Sequence, residues 1–179
     1  GDLDSATYGD PPEGDLMQAS KGMLYAMCRY GGFKNDGTLL QINTTNDNVE
    51  VLFEFGDENG QFPRGSLIQA TDGFLYGMTL AGGISDQGTI FKYDINSKKY
   101  KRLIDFGWYS SGFFSAAKLI QAKYGLLYGL TGGAAGLKQA GTLFRINHYQ
   151  TLSSGRINQG NPHAFQKLHD FDSRNGTNG

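Results

Sequence analysis

Side chains able to do chemistry are few and scattered in this 179-residue chain. His148, His163 and His169 form the one set that resembles metal ligands, yet their spacing matches no zinc pattern, and scattered histidines of this kind read as ordinary surface residues. The single cysteine, Cys28, has no cysteine partner and no evident base, so it reads as a buried, inert thiol. Two acidic, Asn-rich turns, at 57–60 and 170–176, offer oxygen ligands to calcium but do not fit the twelve-residue calcium loop, and turn chemistry explains them. There is no phosphate-binding glycine loop, no nucleophile elbow and no His-Glu-x-x-His pair. The sequence therefore implies no cofactor, with calcium the one metal its turns suggest. What remains is aromatic. The stretch Gly107-Trp108-Tyr109-Ser110-Ser111-Gly112-Phe113-Phe114 places Trp108, Tyr109 and Phe113 in a polar loop, where flat rings suit stacking on a sugar or packing on a protein. The competing reading is that these rings fold inward to cap the core.

The elements that position such a loop follow from an internal repeat. Leu67-Ile68-Gln69-Ala70, Gly73 and Leu75-Tyr76-Gly77 return as Leu119-Ile120-Gln121-Ala122, Gly125 and Leu127-Tyr128-Gly129, and occur earlier as Leu16-Met17-Gln18-Ala19, Gly22 and Leu24-Tyr25-Ala26. Each copy continues through a diglycine, a short polar loop and a Gly-Thr-apolar start, and closes on an aromatic stretch such as Arg102-Leu103-Ile104-Asp105-Phe106. Each unit reads as four short antiparallel strands, in the second copy about 66–70, 74–79, 88–94 and 100–106, separated by Gly, Asn, Asp and Ser clusters. Alternation along 74–79 leaves both faces apolar or small, as a sheet buried on both sides requires. A period of about 50 residues with four strands is that of a kelch-like propeller blade. The recurring Tyr25, Tyr76 and Tyr128 read as inter-blade core, and the recurring Gln18, Gln69 and Gln121 as structural bonds to neighbouring backbone. The expected organisation is an all-β propeller: 1–13 the end of a preceding repeat, 14–64, 65–116 and 117–171 three blades, the third with an insertion at 147–165, and 172–179 a tail.

Composition agrees. Glycine supplies 27 residues, aromatics 13% and charged residues only 18%, the profile of a turn-rich, aromatic-packed chain. Sixteen basic against seventeen acidic residues leave a net charge of -1, which argues against nucleic acid as a partner. No apolar run approaches a membrane span and no charged-then-apolar leader opens the chain, so no membrane insertion is expected.

The pattern Leu-Ile-Gln-Ala-x-x-Gly-x-Leu-Tyr-Gly-x-Thr, diglycine, Gly-Thr-Ile-Phe-Lys and closing Asp-Phe-Gly resembles the Gloeo-Verruco repeat of bacterial extracellular proteins, over about residues 14 to 171. The first copy departs from it at Ala26 and Cys28. The resemblance implies secretion or a cell-surface location and a propeller-like fold, and it carries over no catalytic residues. Propellers close with about 4 to 8 blades, so three blades imply either a piece of a longer propeller or a homodimer that completes one. In a meander the loops after strands two and four share one rim, which gathers Trp108, Tyr109 and Phe113 with Tyr30 and Lys138 as secondary contributors. The leading expectation is a non-catalytic module that binds a glycan or a cell-surface protein. The alternatives are a glycan-active hydrolase or lyase on the same scaffold, and a structural spacer or adhesion stalk.

Overall fold

The computed structural model describes residues 5–10, 12–107, 118–132 and 139–172. They form three antiparallel sheets. The first is the meander β1 (Met17–Gln18), β2 (Leu24–Cys28), β3 (Thr38–Asn43) and β4 (Asn48–Glu54). The second contains β5 (Gln61–Pro63), β6 (Ile68–Gln69), β7 (Leu75–Ala81), β8 (Thr89–Asp94) and β9 (Lys99–Asp105), with β5 and β6 both paired to β7. The third is β10 (Ile120–Gln121), β11 (Leu127–Gly132), β12 (Gln139–Ile146) and β13 (Phe165–Asp172). None of the helices among the described residues is long and apolar enough to cross a membrane.

Local chemistry repeats with the strands. The turn after the third strand of each sheet opens on an Asx side chain that accepts from the backbone two residues on: Asn43 Oδ1 from Thr45 N, Asp94 Oδ1 from Asn96 N, and Asn147 Oδ1 from Tyr149 N. A register shift falls at Leu39/Leu40, Ile90/Phe91 and Leu143/Phe144. This bulge turns Leu103 to the same side as Ile104, thickening the apolar face.

The sheets stack face to face. One buried cluster joins Tyr25, Met27, Leu39 and Phe55 of the first sheet to Leu67, Leu75, Phe91 and Tyr93 of the second. Another joins Tyr76, Met78, Ile90 and Phe106 of the second to Leu119, Leu127, Phe144 and Ile146 of the third. Adjacent residues such as Leu75 and Tyr76 thus face opposite neighbours, as the strand alternation predicts.

Each joint is fastened by the recurring glutamine. Gln69 Nε2 donates to Gly73 O of its own hairpin at 3.0 Å, while its Oε1 accepts from Ser20 N of the preceding sheet at 2.8 Å. Gln121 repeats this with Gly125 O at 3.0 Å and Thr71 N at 2.9 Å. Gln18, on the first sheet, is exposed. The recurring tyrosines divide likewise: Tyr25 and Tyr76 are buried in the joints, Tyr76 donating to Asp72 Oδ2 at 2.7 Å, whereas Tyr128, on the outer side of the third sheet, is half-buried.

Packing explains the odd copy. A Cβ at Gly77 would sit 2.6 Å from Phe91 Cζ, and one at Gly129 2.4 Å from Phe144 Cζ, so these glycines make room for the rings paired across from them. In the first sheet the corresponding pair is Ala26 with Leu40, a smaller partner that admits the extra methyl.

Residues 5–10 and 12 follow on the first sheet the path that 56–61 and 63 follow on the second. The short helix Ser5–Tyr8 stands where the 3-10 turn Asp57–Asn59 stands, Gly9 and Gly60 share a positive φ of 106° and 100°, and Pro12 bridges Cys28 as Pro63 bridges Thr79.

Candidate functional site

The rim is built from the loops that follow the second and fourth strands. In the first sheet Gly31 and Gly32 have φ of 103° and 75°; in the second, Gly82 and Gly83 have 77° and 81°, a left-handed pair that few other residues adopt. The same bonds recur in the two loops. Gly31 N donates to Asn35 Oδ1 at 2.9 Å and Gly82 N to Asp86 Oδ1 at 2.8 Å. Gly37 N and Gly88 N close onto Gly31 O and Gly82 O, each at 3.1 Å. The acidic residue of the closing strand then reaches across: Glu54 Oε2 accepts from Phe33 N at 2.7 Å, and Asp105 Oδ1 from Ile84 N at 3.0 Å.

That brace fixes what the loops present. Phe33 is 95% exposed and Ile84 67%, each at the residue just after the diglycine. The linker between the sheets ties the two loops together, since Lys34 pairs with Asp57 and Gly83 N donates to Asp57 O at 3.1 Å. Tyr30 stands on the same rim, 37% exposed, its ring edge-on to Phe62 at 5.7 Å and beneath the Arg29 guanidinium at 5.1 Å. It lines a shallow hollow with Ala6, Asp10 and Asn35. Arg29 and Arg64 both hold Glu13 at 3.0 Å. Of the residues expected to bind, Tyr30 is therefore on the rim, whereas Trp108, Tyr109, Phe113 and Lys138 lie outside the described residues. Phe33 and Ile84 were not singled out by sequence reasoning. The signal was present, an apolar residue in the same slot after each diglycine, where a solvent-facing loop otherwise favours polar side chains.

The opposite end carries His148. His148 is buried between the second and third sheets, with Nε2 3.4 Å from Asp72 Oδ2, its ring 5.1 Å from Tyr76 and 4.0 Å from Tyr149. Neither ring nitrogen makes a hydrogen bond. Burial pushes the imidazole below its ordinary range; Asp72 opposes that shift and Lys92 adds to it. Among the described residues no three His, Cys, Asp or Glu side chains gather closely enough to hold a metal. The turn carboxylates considered for calcium face cations: Asp57 pairs with Lys34, Glu58 lies 3.8 Å from Arg102, and Asp170 binds Lys167 at 2.6 Å. Cys28 is buried, and burial raises its thiol pKa.

The insertion lies against the outer strand of the second sheet. Ile157 N donates to Leu103 O at 2.9 Å, Gln159 Nε2 to Asp105 O at 2.6 Å, and Arg156 pairs with Asp105, which Arg102 Nε also approaches at 3.3 Å. Residues 156, 157 and 159 thus tie the insertion to the second sheet.

Residues 3–179 match the model of the Gloeobacter/Verrucomicrobia repeat. The chain belongs to that family. It matches none of the curated proteins compared with it. In this Gloeobacter/Verrucomicrobia repeat chain the recurring Gln69 and Gln121 serve the joints, and the recurring glycine pairs shape the two described rim loops.

Proposed function

We propose that the chain is a non-catalytic binding module, an arc of propeller blades in an extracellular or cell-surface bacterial protein, and that its rim docks on a protein surface. The observation that carries this reading is the pair of solvent-facing apolar tips, Phe33 and Ile84, held on braced loops with Tyr30 beside them. Rigid presentation of apolar side chains lowers the ordering cost of association. A sugar site stacks flat rings between converging polar groups; Ile84 offers no ring and Phe33 is 95% exposed, so the apolar pair favours a protein partner over a glycan. Face-to-face stacking of three similar four-stranded meanders supports the propeller reading, and the family resemblance supports the location.

The test is a triple variant, Phe33→Ser with Ile84→Ser and Tyr30→Ala, compared with the parent in cross-linking pull-downs from bacterial surface extracts and on a glycan array. Binding to a specific protein should fall at least tenfold, roughly 1.4 kcal/mol, with the melting temperature nearly unchanged. Unchanged protein binding, or glycan binding abolished in its place, would overturn the assignment.

A further inference from the structure

The two ends of the stack carry the two halves of a joint that the interior shows assembled. On the outer side of the third sheet, Ile120, Leu130 and Phe171 hold the positions that Ile68, Met78 and Phe106 hold on the second, yet Ile120 is 58% exposed while Ile68, Met78 and Phe106 are all buried. On the outer side of the first sheet, Leu16 is 60% exposed where Leu67 and Leu119 are buried. Both faces are therefore apolar in the pattern that elsewhere receives a neighbouring sheet; one histidine, His169, interrupts the third-sheet face, edge-on to Phe171 at 4.9 Å.

The polar fasteners match as well. Ser20 N and Thr71 N each donate to the glutamine of the following sheet, and the equivalent donor on the third sheet is Lys123 N, while the equivalent acceptor on the first is the exposed Gln18. Asp15 of the first sheet meets Ser66 of the second, through Asp15 N to Ser66 Oγ at 2.9 Å and Ser66 Oγ to Asp15 Oδ2 at 3.0 Å. Stepping that pair onward sets Lys118 of a third sheet against Asp15 of a first sheet, opposite charges at the same place in the joint.

We propose that a second copy of this chain covers these faces head to tail, the third sheet of each copy seated on the first sheet of the other, closing six sheets into one ring. The chain holds both mating surfaces, and their apolar, hydrogen-bonding and charged positions complement each other in the register of the internal joints. Such a contact is heterologous and closes because it is made twice; six sheets fall within the size at which propellers close. This proposal does not depend on what the rim binds.

Light scattering on size-exclusion eluates, checked by sedimentation velocity, is expected to give twice the chain mass. Leu130→Glu and Leu16→Glu, both at exposed positions, should each give single-chain mass with an unchanged circular dichroism spectrum. Mixing those two variants should restore a two-chain species, because one intact joint remains between them. Lys118→Asp and Asp15→Lys should each weaken the dimer, and combining them in one chain should restore it. Single-chain mass for the parent throughout the micromolar range overturns the proposal and leaves the faces to blades of a longer chain. A dimer lost in Leu130→Glu but kept in Leu16→Glu overturns it too, since that outcome requires a symmetric contact between third sheets.

Discussion

The two joints between sheets share a fastener and differ in filling. Between the first and second sheets the space is taken by rings: Phe53 stacks on Tyr100 at 3.9 Å, Phe91 on Tyr100 at 5.2 Å, and Phe55 meets Phe91 edge-on at 5.2 Å. Between the second and third, Phe106 and Phe144 meet at 5.8 Å among aliphatic residues, and the insertion adds Ile157, Ala164 and a buried charge cluster at Asp105, while His148 closes the far end. The repeat thus dictates where a joint is bonded and leaves open what packs it. The titratable rings of the first joint are tyrosines whose burial raises their pKa, so between neutral and acidic pH the group expected to respond is the imidazole of the second joint.

The largest effects test whether both joints bear load. Phe91→Ala and Phe144→Ala remove equivalent fully buried rings and should each cost about 3 to 5 kcal/mol in urea unfolding. A much smaller loss for Phe144→Ala would mean that the third sheet packs loosely on the second. Next comes the loop brace. Asp105→Ala strips Arg102 and Arg156 of their shared partner and frees Ile84 N, for a loss of about 3 kcal/mol. Glu54→Ala, at the exposed equivalent in the first sheet, should cost about 1 kcal/mol. Equal losses would show that the charge cluster contributes nothing beyond the common brace.

The smallest effect is the pH response. Because the folded state depresses the His148 pKa below its ordinary value of 6.5, the unfolded chain takes up a proton first as the solution is acidified. Stability contributed by the neutral ring is complete above pH 6.5 and is lost as the pH falls toward the depressed value. His148→Phe should flatten the dependence of melting temperature on pH between about 5 and 7. An unaltered slope in that variant would assign the dependence elsewhere.

The strands were legible because each obeys a local rule: two-residue alternation, a glycine-ended hairpin, and an Asx turn after every third strand. Gln18 is exposed, but Gln69 and Gln121 read correctly as structural for the same reason, since a recurring amide in a buried strand must find a backbone partner. Their partner, the amide of the preceding sheet, was hidden because it lies one whole repeat away along the chain. The same distance hid the brace from Glu54 and Asp105 to the loop tips. Of the histidines, His163 and His169 are exposed as expected, whereas His148 is an inter-sheet core residue beside Asp72, a position only the path of the insertion decides. The exchange of Gly77 and Phe91 for Ala26 and Leu40 was readable in principle, but only once cross-strand register paired them.

The clamp glutamine grips a main-chain amide, and the donors it meets belong to residues as different as Ser20 and Thr71. Any neighbour with the right backbone satisfies it, whatever side chain it bears. The polar seam therefore tolerates side-chain replacement at the donor position, while the apolar filling of each joint stays particular to the pair of sheets it joins.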